Sequence, residues 1–216
     1  MDPASPNGYA VARERIMKVN LTIKVPNWLD IILAWPLMIY RQYKFGYTFR
    51  RIYVSEGKYA IVDQKDFYRL NNLEWMVKED FDSIYAVRFF RREGSSSKLL
   101  SMHRFICNPP AGLLIDHINC NGLDNRRDNL RLATHSQNNC NRPKRRNTTS
   151  RFVGVHFAKK MNKWAAQIKH RGGKKWLGYF DNEADAAKAF DAAAIKYHGE
   201  FARLNFPQDS TGACPP

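Results

Sequence analysis

The sequence predicts an α+β protein made of short antiparallel strands with few helices, and three observations predict it. Apolar residues recur at every second position in several short runs, the period of a half-buried strand, and Gly or Pro turns separate those runs. Late in the chain, "FVGVHF", "KWAAQIKH" and "KKWLGYF" lead into one alanine-rich helical stretch, "DNEADAAKAFDAAAIKYHG". The composition, 44% hydrophobic and 13% aromatic, is rich enough in apolar surface to fold rather than stay disordered.

Residues 1–16 read as a loose leader, and "KVNLTIKV" alternates Val19, Leu21, Ile23 and Val25 as a strand that Pro26 ends. "WLDIILAWPLMIY", residues 28–40, is too short to span a bilayer and is interrupted by Asp30 and Pro36. It reads as an amphipathic or partly buried helix, capped by Asn27 and stopped at Gly46. Residues 1–49 thus hold a leader, a strand and a helix of unassigned role. Residues 50–100 form a small β-rich region. Strands are expected in "RRIYVSEGKYAIVD", "SIYAVRFF" and "KLLSMHRFI", with a helix in "QKDFYRLNNLEWMV" that turns Phe67, Leu70 and Leu73 to one side.

In residues 101–142, Pro109, Pro110 and Gly112 mark a loop before the short apolar strand "LLIDHI". "RDNLRLATHSQNNCNR" is expected to be helical, ending near Pro143. Residues 143–151 form a basic linker that includes Arg145 and Arg146. Residues 152–207 make a three-stranded antiparallel sheet with one helix on its back; Asn182 caps the helix, Asp185 closes a capping box and Gly199 ends it. Residues 208–216 are a tail.

The formal net charge is +15, and between Asn129 and Phe180 there is no Asp or Glu at all. A one-sign field of that length points to a polyanionic partner. Membrane binding fits poorly, because the basic residues lie on strands and linker rather than along one helix face. Cys107, Cys120, Cys140 and Cys214 form no C-x-x-C pair and have no partnering His spacing, so no structural zinc is expected. With no secretory leader apparent, a reducing intracellular setting is expected.

The chemistry concentrates in "IDHINCNGLDNRRDNLRLATHSQNNCN". Phosphodiester hydrolysis needs a water made nucleophilic and a developing negative charge neutralised. A neutral His takes a proton at physiological pH, and carboxylate and amide oxygens hold a hard divalent cation. Asp116 and His117 at a strand end, with Asn138 on a following helix, can supply both functions, while Asn129 fixes the loop or caps the helix. These residues, with "MHRFICNPP" ahead of them, resemble the HNH endonucleases of the phage and intron homing type. The resemblance implies a ββα-metal unit with His117 as general base, Asp116 and Asn138 as ligands of one Mg²⁺ or Mn²⁺, and Asn129 as the structural Asn. Asn141, one turn beyond Asn138, is a weaker candidate, and His135 lies close enough in sequence to intrude. Cys120 stands where that family usually has Gly; a positive φ there costs an L-residue about 1 kcal/mol or more.

Residues 154–207 resemble the DNA-binding domain of plant ethylene-response factors (the apetala family), through "GV", "KWAAQI", "WLGYF", "EADAAKAFDAAA" and "LNFP". The resemblance implies a sheet lying in the major groove with the helix behind it, and DNA contacts from His156, Gln167, Lys169, Lys174 and Trp176. The plant domains carry arginines where this chain has Val153, His156 and Ala158, so bidentate guanine reading is lost at those positions. Core packing accounts for Trp164 and Phe190.

The two modules together predict a site-selective, metal-dependent DNA endonuclease that nicks one strand per active site. The partner is double-stranded DNA; no membrane and no small-molecule cofactor is expected, and the oligomeric state is left open, a monomer included. The resemblance implies a bacterial or phage-encoded protein of a mobile element. The alternative is a non-cleaving transcriptional regulator with a relic nuclease. RNA binding ranks lower, since only Trp176 offers an exposed stacking platform.

Overall fold

The computed structural model describes residues 26–55, 57–80, 83–90, 97–142, 144 and 148–207. The predicted leader, the strand at Val19–Val25, Arg145, Arg146 and the tail lie outside them. The chain divides into two compact units, Met1–Pro36 and Leu37–Pro216. Helix α1, Asn27–Phe45, crosses that boundary at Pro36. In the first unit the Pro26 carbonyl accepts from the N–H groups of Leu29 (3.0 Å) and Asp30 (3.1 Å). Pro26 therefore holds the cap position expected for Asn27, which is already inside the first turn. No helix among the described residues is long and apolar enough to cross a membrane.

In the second unit α1 ends at Gly46, whose positive φ of 76° lets its N–H return to the Gln42 carbonyl at 3.0 Å. Strands β1 (Arg50–Ser55) and β2 (Lys58–Val62) form an antiparallel ribbon. Helix α2 (Gln64–Asn71) buries Phe67 and Leu70. Strands β3 (Met76–Asp80), β4 (Ser83–Phe90) and β5 (Lys98–Ser101) follow as a meander with β4 in the middle.

A strand is expected through "KLLSMHRFI", but β5 ends at Ser101 and helix α3, Met102–Cys107, begins there. The reason is its spacing: Met102 and Ile106, four apart, are both buried and join one core with Ile52, Val62, Leu70 and Trp75. Leu123 and Leu130 pack onto the same core, so the β-rich region and the motif region share one hydrophobic interior.

Strand β6 is Leu114–His117. The stretch expected to be a helix or helical turns divides into three, the middle part a strand. A 3-10 turn covers Arg127–Asn129, strand β7 covers Leu130–Ala133, and helix α4 covers His135–Cys140. β7 pairs antiparallel with β6, with Asp116 opposite Arg131 and His117 opposite Leu130. A capping box between Thr134 and Gln137 restarts the chain as α4.

Strands β8 (Val155–Ala158), β9 (Lys163–His170) and β10 (Gly173–Phe180) form a second antiparallel sheet with β9 central. Helix α5 (Glu183–His198) covers one face. Trp164, Ala166 and Ile168 turn to it, meeting Ala186, Ala187, Phe190 and Ala194. Small residues bring helix and sheet close: a β-carbon at Gly154 would collide with the Phe190 ring. Asn182 caps α5 through Ala184 N–H at 2.7 Å, but Asp185 closes no capping box and pairs with Lys188 instead. Buried Asp191 ties down the end of the module by accepting from the N–H groups of Asn205 and Phe206, each at 2.8 Å.

Candidate functional site

His117 ends β6, and the chain then enters a loop that folds on its own side chains. The Asn129 carboxamide accepts from Asn119 N–H (2.9 Å) and donates to Asn119 Oδ1 (2.9 Å) and the Asp124 carbonyl (2.8 Å). Asn119 Nδ2 donates to Asp124 Oδ2 at 2.8 Å, and the Asn121 side chain accepts from Leu123 N–H at 3.1 Å. Asn129 does not itself touch His117; it is the post around which residues 118–125 are wound.

The β-rich region braces the same loop. Strand β2 grips it through its backbone: Ile61 N–H donates to the Leu123 carbonyl (2.9 Å), and Asn125 N–H to the Ile61 carbonyl (2.8 Å). Arg127 forks onto Asp66 at 2.7 and 2.9 Å, and that hydrogen-bonded guanidinium holds the Asp66 carboxyl below its usual range. Arg126 closes on Asp124 at 2.7 Å and lies over the Tyr47 ring at 3.4 Å from its centroid.

This frame presents Asn125 to the His117 imidazole, with His117 Nε2 3.4 Å from Asn125 Oδ1. His117 is buried, and desolvation holds its pKa below the ordinary histidine value despite Asn125, Asp116 and Asp124 nearby. It is therefore neutral near pH 7. When Nε2–H donates to Asn125, the Nδ1 lone pair is left to receive a proton.

Two further rings close on His117. His103 of α3 stands edge-on at 4.9 Å between centroids, and Tyr85 of β4 lies at 5.9 Å. His103 Nδ1 is buried with no hydrogen-bond partner among the described residues. Burial and the neighbouring His117 and Arg104 push the His103 pKa down to about 3. Gly122 makes room for this approach, since a β-carbon there would strike the Tyr85 ring. Tyr85 was not a candidate from sequence, and His103 entered only as part of the "MHRFICNPP" lead-in. Nothing local in "SIYAVRFF" marks Tyr85; only the packing of β4 against residue 122 does.

Asp116 points to the other side of β6 and is buried. Arg131, its partner across the ribbon, donates to Oδ2 through Nε (2.9 Å) and Nη2 (2.7 Å). Asn141 donates Nδ2 to both Asp116 oxygens, at 3.2 and 3.1 Å, and to the His117 carbonyl at 2.9 Å. The structure thus sets Asn141 directly on the Asp-His pair. Asn138, half-buried on α4, bonds through its backbone to Thr134, and its side chain has no hydrogen-bond partner among the described residues. His135 is exposed.

The Asp116 carboxylate is the hard oxygen ligand a divalent cation would need, but the groups now on it are donors, the Arg131 guanidinium and the Asn141 amide NH2, which a cation would have to share or displace. Among the described residues Oδ1 accepts only from Asn141, at 3.2 Å, so it retains acceptor capacity for one. Among the described residues no three His, Cys, Asp or Glu side chains group to hold an ion. A cation at Asp116 would draw its remaining ligands from amides, phosphate or water, which is the habit of Mg²⁺.

Cys120 does adopt a positive φ, 58°. Its thiol reaches the Asn141 carbonyl at 3.2 Å, and Arg203 donates to its sulfur at 3.1 Å. Arg131 also donates to the Glu200 carbonyl and lies 4.0 Å from the Phe201 ring centroid. The Asp-His site and the end of the carboxy-terminal module are therefore joined through Arg131 and Cys120.

On the sheet face away from α5, strand register brings His156, Gln167, Lys169, Lys174 and Trp176 together. Lys174 lies opposite Lys169, Trp176 opposite Gln167, and His156 opposite Ala165. A bulge between Trp176 and Gly178 shifts the alternation, so Tyr179 joins this face and meets Trp176 edge-on at 4.6 Å. Strict period-2 alternation from Trp176 would turn Tyr179 to the opposite face.

An HNH endonuclease family model matches residues 108–140. An uncharacterised HNH endonuclease of Acanthamoeba polyphaga mimivirus is 33% identical over 153 residues, covering 71% of this chain and 73% of that protein. The dehydration-responsive element-binding protein 2E of Arabidopsis thaliana is 42% identical over 76 residues, 31% of each chain. APETALA2-like protein 2 of Oryza sativa subsp. indica is 39% identical over 61 residues, covering 28% of this chain and 14% of that protein. The chain spans 18% and 31% of the length of the first two plant proteins it matches. No solved structure matches.

Proposed function

The chain belongs to the HNH endonuclease family, with an HNH module fused to an AP2/ERF-type domain, and on that footing we propose that it is a site-selective DNA endonuclease nicking one strand per active site. The β6–β7 ribbon and α4 are read as the ββα-metal unit, bounded by residues 101 and 142, and the sheet of residues 152–207 as the duplex-binding surface in the major groove. One observation carries the reading: a buried His117 with Asn125 on its ring, next in the chain to a buried carboxylate.

His117 takes the proton from an attacking water. Asn125 orients its ring, and Asn129 holds the loop that carries Asn125. His103 and Tyr85 wall off the ring from bulk water and keep it uncharged. A Mg²⁺ or Mn²⁺ held by Asp116, with Asn138 or Asn141, would neutralise charge developing on the phosphate and its leaving oxygen. Asn141 keeps the Asp116 carboxylate and the His117 backbone in one frame. Lys169, Lys174 and His156 hold phosphates, and Gln167 is placed to read adenine.

Supercoiled plasmid incubated with the protein and Mg²⁺ tests this. Open circle should form with the wild type and vanish with EDTA. His117→Ala should cut at least 100-fold more slowly and retain DNA binding, as for loss of a general base. Gel retardation without cutting in Mg²⁺ and Mn²⁺ alike would favour the non-cleaving regulator.

A further inference from the structure

A cleft of about 440 Å³ opens between α4 and the β9–β10 hairpin. Ser136 and Asn139 of α4 form one wall, and buried Ile168 and Phe190 close the floor. Its rim carries four exposed cations, Arg142, Lys169, Arg171 and Lys174, and no carboxylate lines it. None of the four pairs with an acid among the described residues. Lys169 and Lys174 are direct cross-strand partners, an arrangement of like charges that destabilises a sheet unless an anion lies between them. Arg171 leads the hairpin turn with a φ of 48°, a backbone cost that keeps its guanidinium at the mouth of the cleft.

The wall that α4 gives to this cleft has the nuclease site at its end. Six residues of helix span about 9 Å, and Asn141, just beyond, bonds Asp116 and the His117 carbonyl. The cleft is lined by Cys140 and Arg142, the neighbours of Asn141 in the chain, so an anion in it lies close to the residue that bonds the Asp-His pair, and it also meets the strand that carries Gln167.

We propose that this cleft holds the sugar–phosphate backbone of duplex DNA where it passes from the sheet to the nuclease site, one phosphate between Lys169 and Lys174 and a second against Arg142 and Arg171. The inference rests on the DNA-endonuclease reading and adds to it a path. The strand to be cut is delivered along α4 by a clamp contributed by both modules, so neither module alone holds it. Arg142 and Arg171 act here as phosphate-positioning residues.

The test measures affinity of the full chain for a fluorescent mixed-sequence duplex across a salt series, for the wild type, Arg142→Gln with Arg171→Asn, the same two positions changed to Lys, and Trp176→Ala. Asn at 171 tolerates the left-handed backbone. Each lost phosphate contact lowers the slope of log K against log salt by about 0.9, so the Gln/Asn variant should be shallower by about that amount or more, and the Lys variant should restore it because a point charge suffices. Plasmid nicking by the Gln/Asn variant at saturating protein should fall as well. An unchanged slope in that variant while Trp176→Ala still weakens binding would overturn the clamp and leave the DNA reading standing. Absence of salt-dependent duplex binding in the wild type would sink both, and selective binding of single-stranded RNA would replace the occupant.

Discussion

His117 and Asp116 are 6% and 5% exposed inside a web of side-chain hydrogen bonds, whereas Trp176 and Tyr179 stand 48% and 45% exposed on an open sheet face. The two regions place their functional groups by opposite means. In the region around His117 each group is held by other polar side chains, through Asn129, Asn125, Arg131 and Asn141; on the proposed reading this fixes a base and a carboxylate in orientation before substrate arrives. On the sheet, backbone register does the placing, and the side chains stand on an exposed face. The first region should therefore lose stability when a functional residue is changed, and the second should lose affinity and little else.

Arg131→Met is the change that should break the comparison most visibly. It leaves the buried Asp116 carboxylate without its guanidinium and removes the contacts to Glu200 and Phe201. Removing one partner of a buried pair costs about 3 kcal/mol or more. Urea denaturation should show that loss in the midpoint. A change under about 0.5 kcal/mol would mean the Asp116 web does not hold the site together.

Legibility in the sequence divides along the same line. The carboxy-terminal sheet could be read from period-2 alternation, since β9 runs from Lys163 outward to Ile168 inward, with Ala165 the exception, buried although it shares the face of Lys163 and Gln167. It failed where the strand broke its period, at the bulge that turns Tyr179 out and Phe180 in. The nuclease region offered less to periodicity. β7 is only four residues long and continuous with α4 in composition, so "NLRLATHSQNN" reads as one helix until β6 is available as its partner. Asp116 and His117 were legible as chemistry, and Cys120 as a strained position. The choice between Asn138 and Asn141, and the arrival of Tyr85 and His103 at His117, depend on packing between segments far apart in the chain, which no local pattern encodes.

A pH series sharpens the contrast. Folding suppresses protonation of His103, whose pKa falls from 6.5 to about 3. Between those values the unfolded chain binds a proton that the folded chain refuses, so acid favours unfolding. The stability tied to a neutral His103 is complete above about pH 6.5 and is lost progressively as pH falls toward 3. At pH 5 the unfolding free energy should be about 2 kcal/mol lower than at pH 7.5 from this group. His103→Phe should flatten that dependence, measured by urea denaturation at both pH values. An equally steep dependence in the variant would assign the acid sensitivity to other groups.

The smallest effect on folding and the cleanest on binding should come from the sheet. Trp176→Ala with Tyr179→Ala removes an exposed ring pair within β10, and an aromatic pair of this kind is worth about 1 kcal/mol. Among the described residues the same pair presents a broad exposed aromatic surface on a face that also carries Lys, Gln and His. It is the part able to meet thymine methyls or base edges between phosphate contacts. Duplex affinity should fall about tenfold, roughly 1.4 kcal/mol, with the salt slope unchanged because no charge is lost. A loss of several kcal/mol of stability with no loss of affinity would invert the comparison: the aromatic pair would then be part of the packing of its sheet, and the DNA interface would have to be sought on the basic rim beside α4.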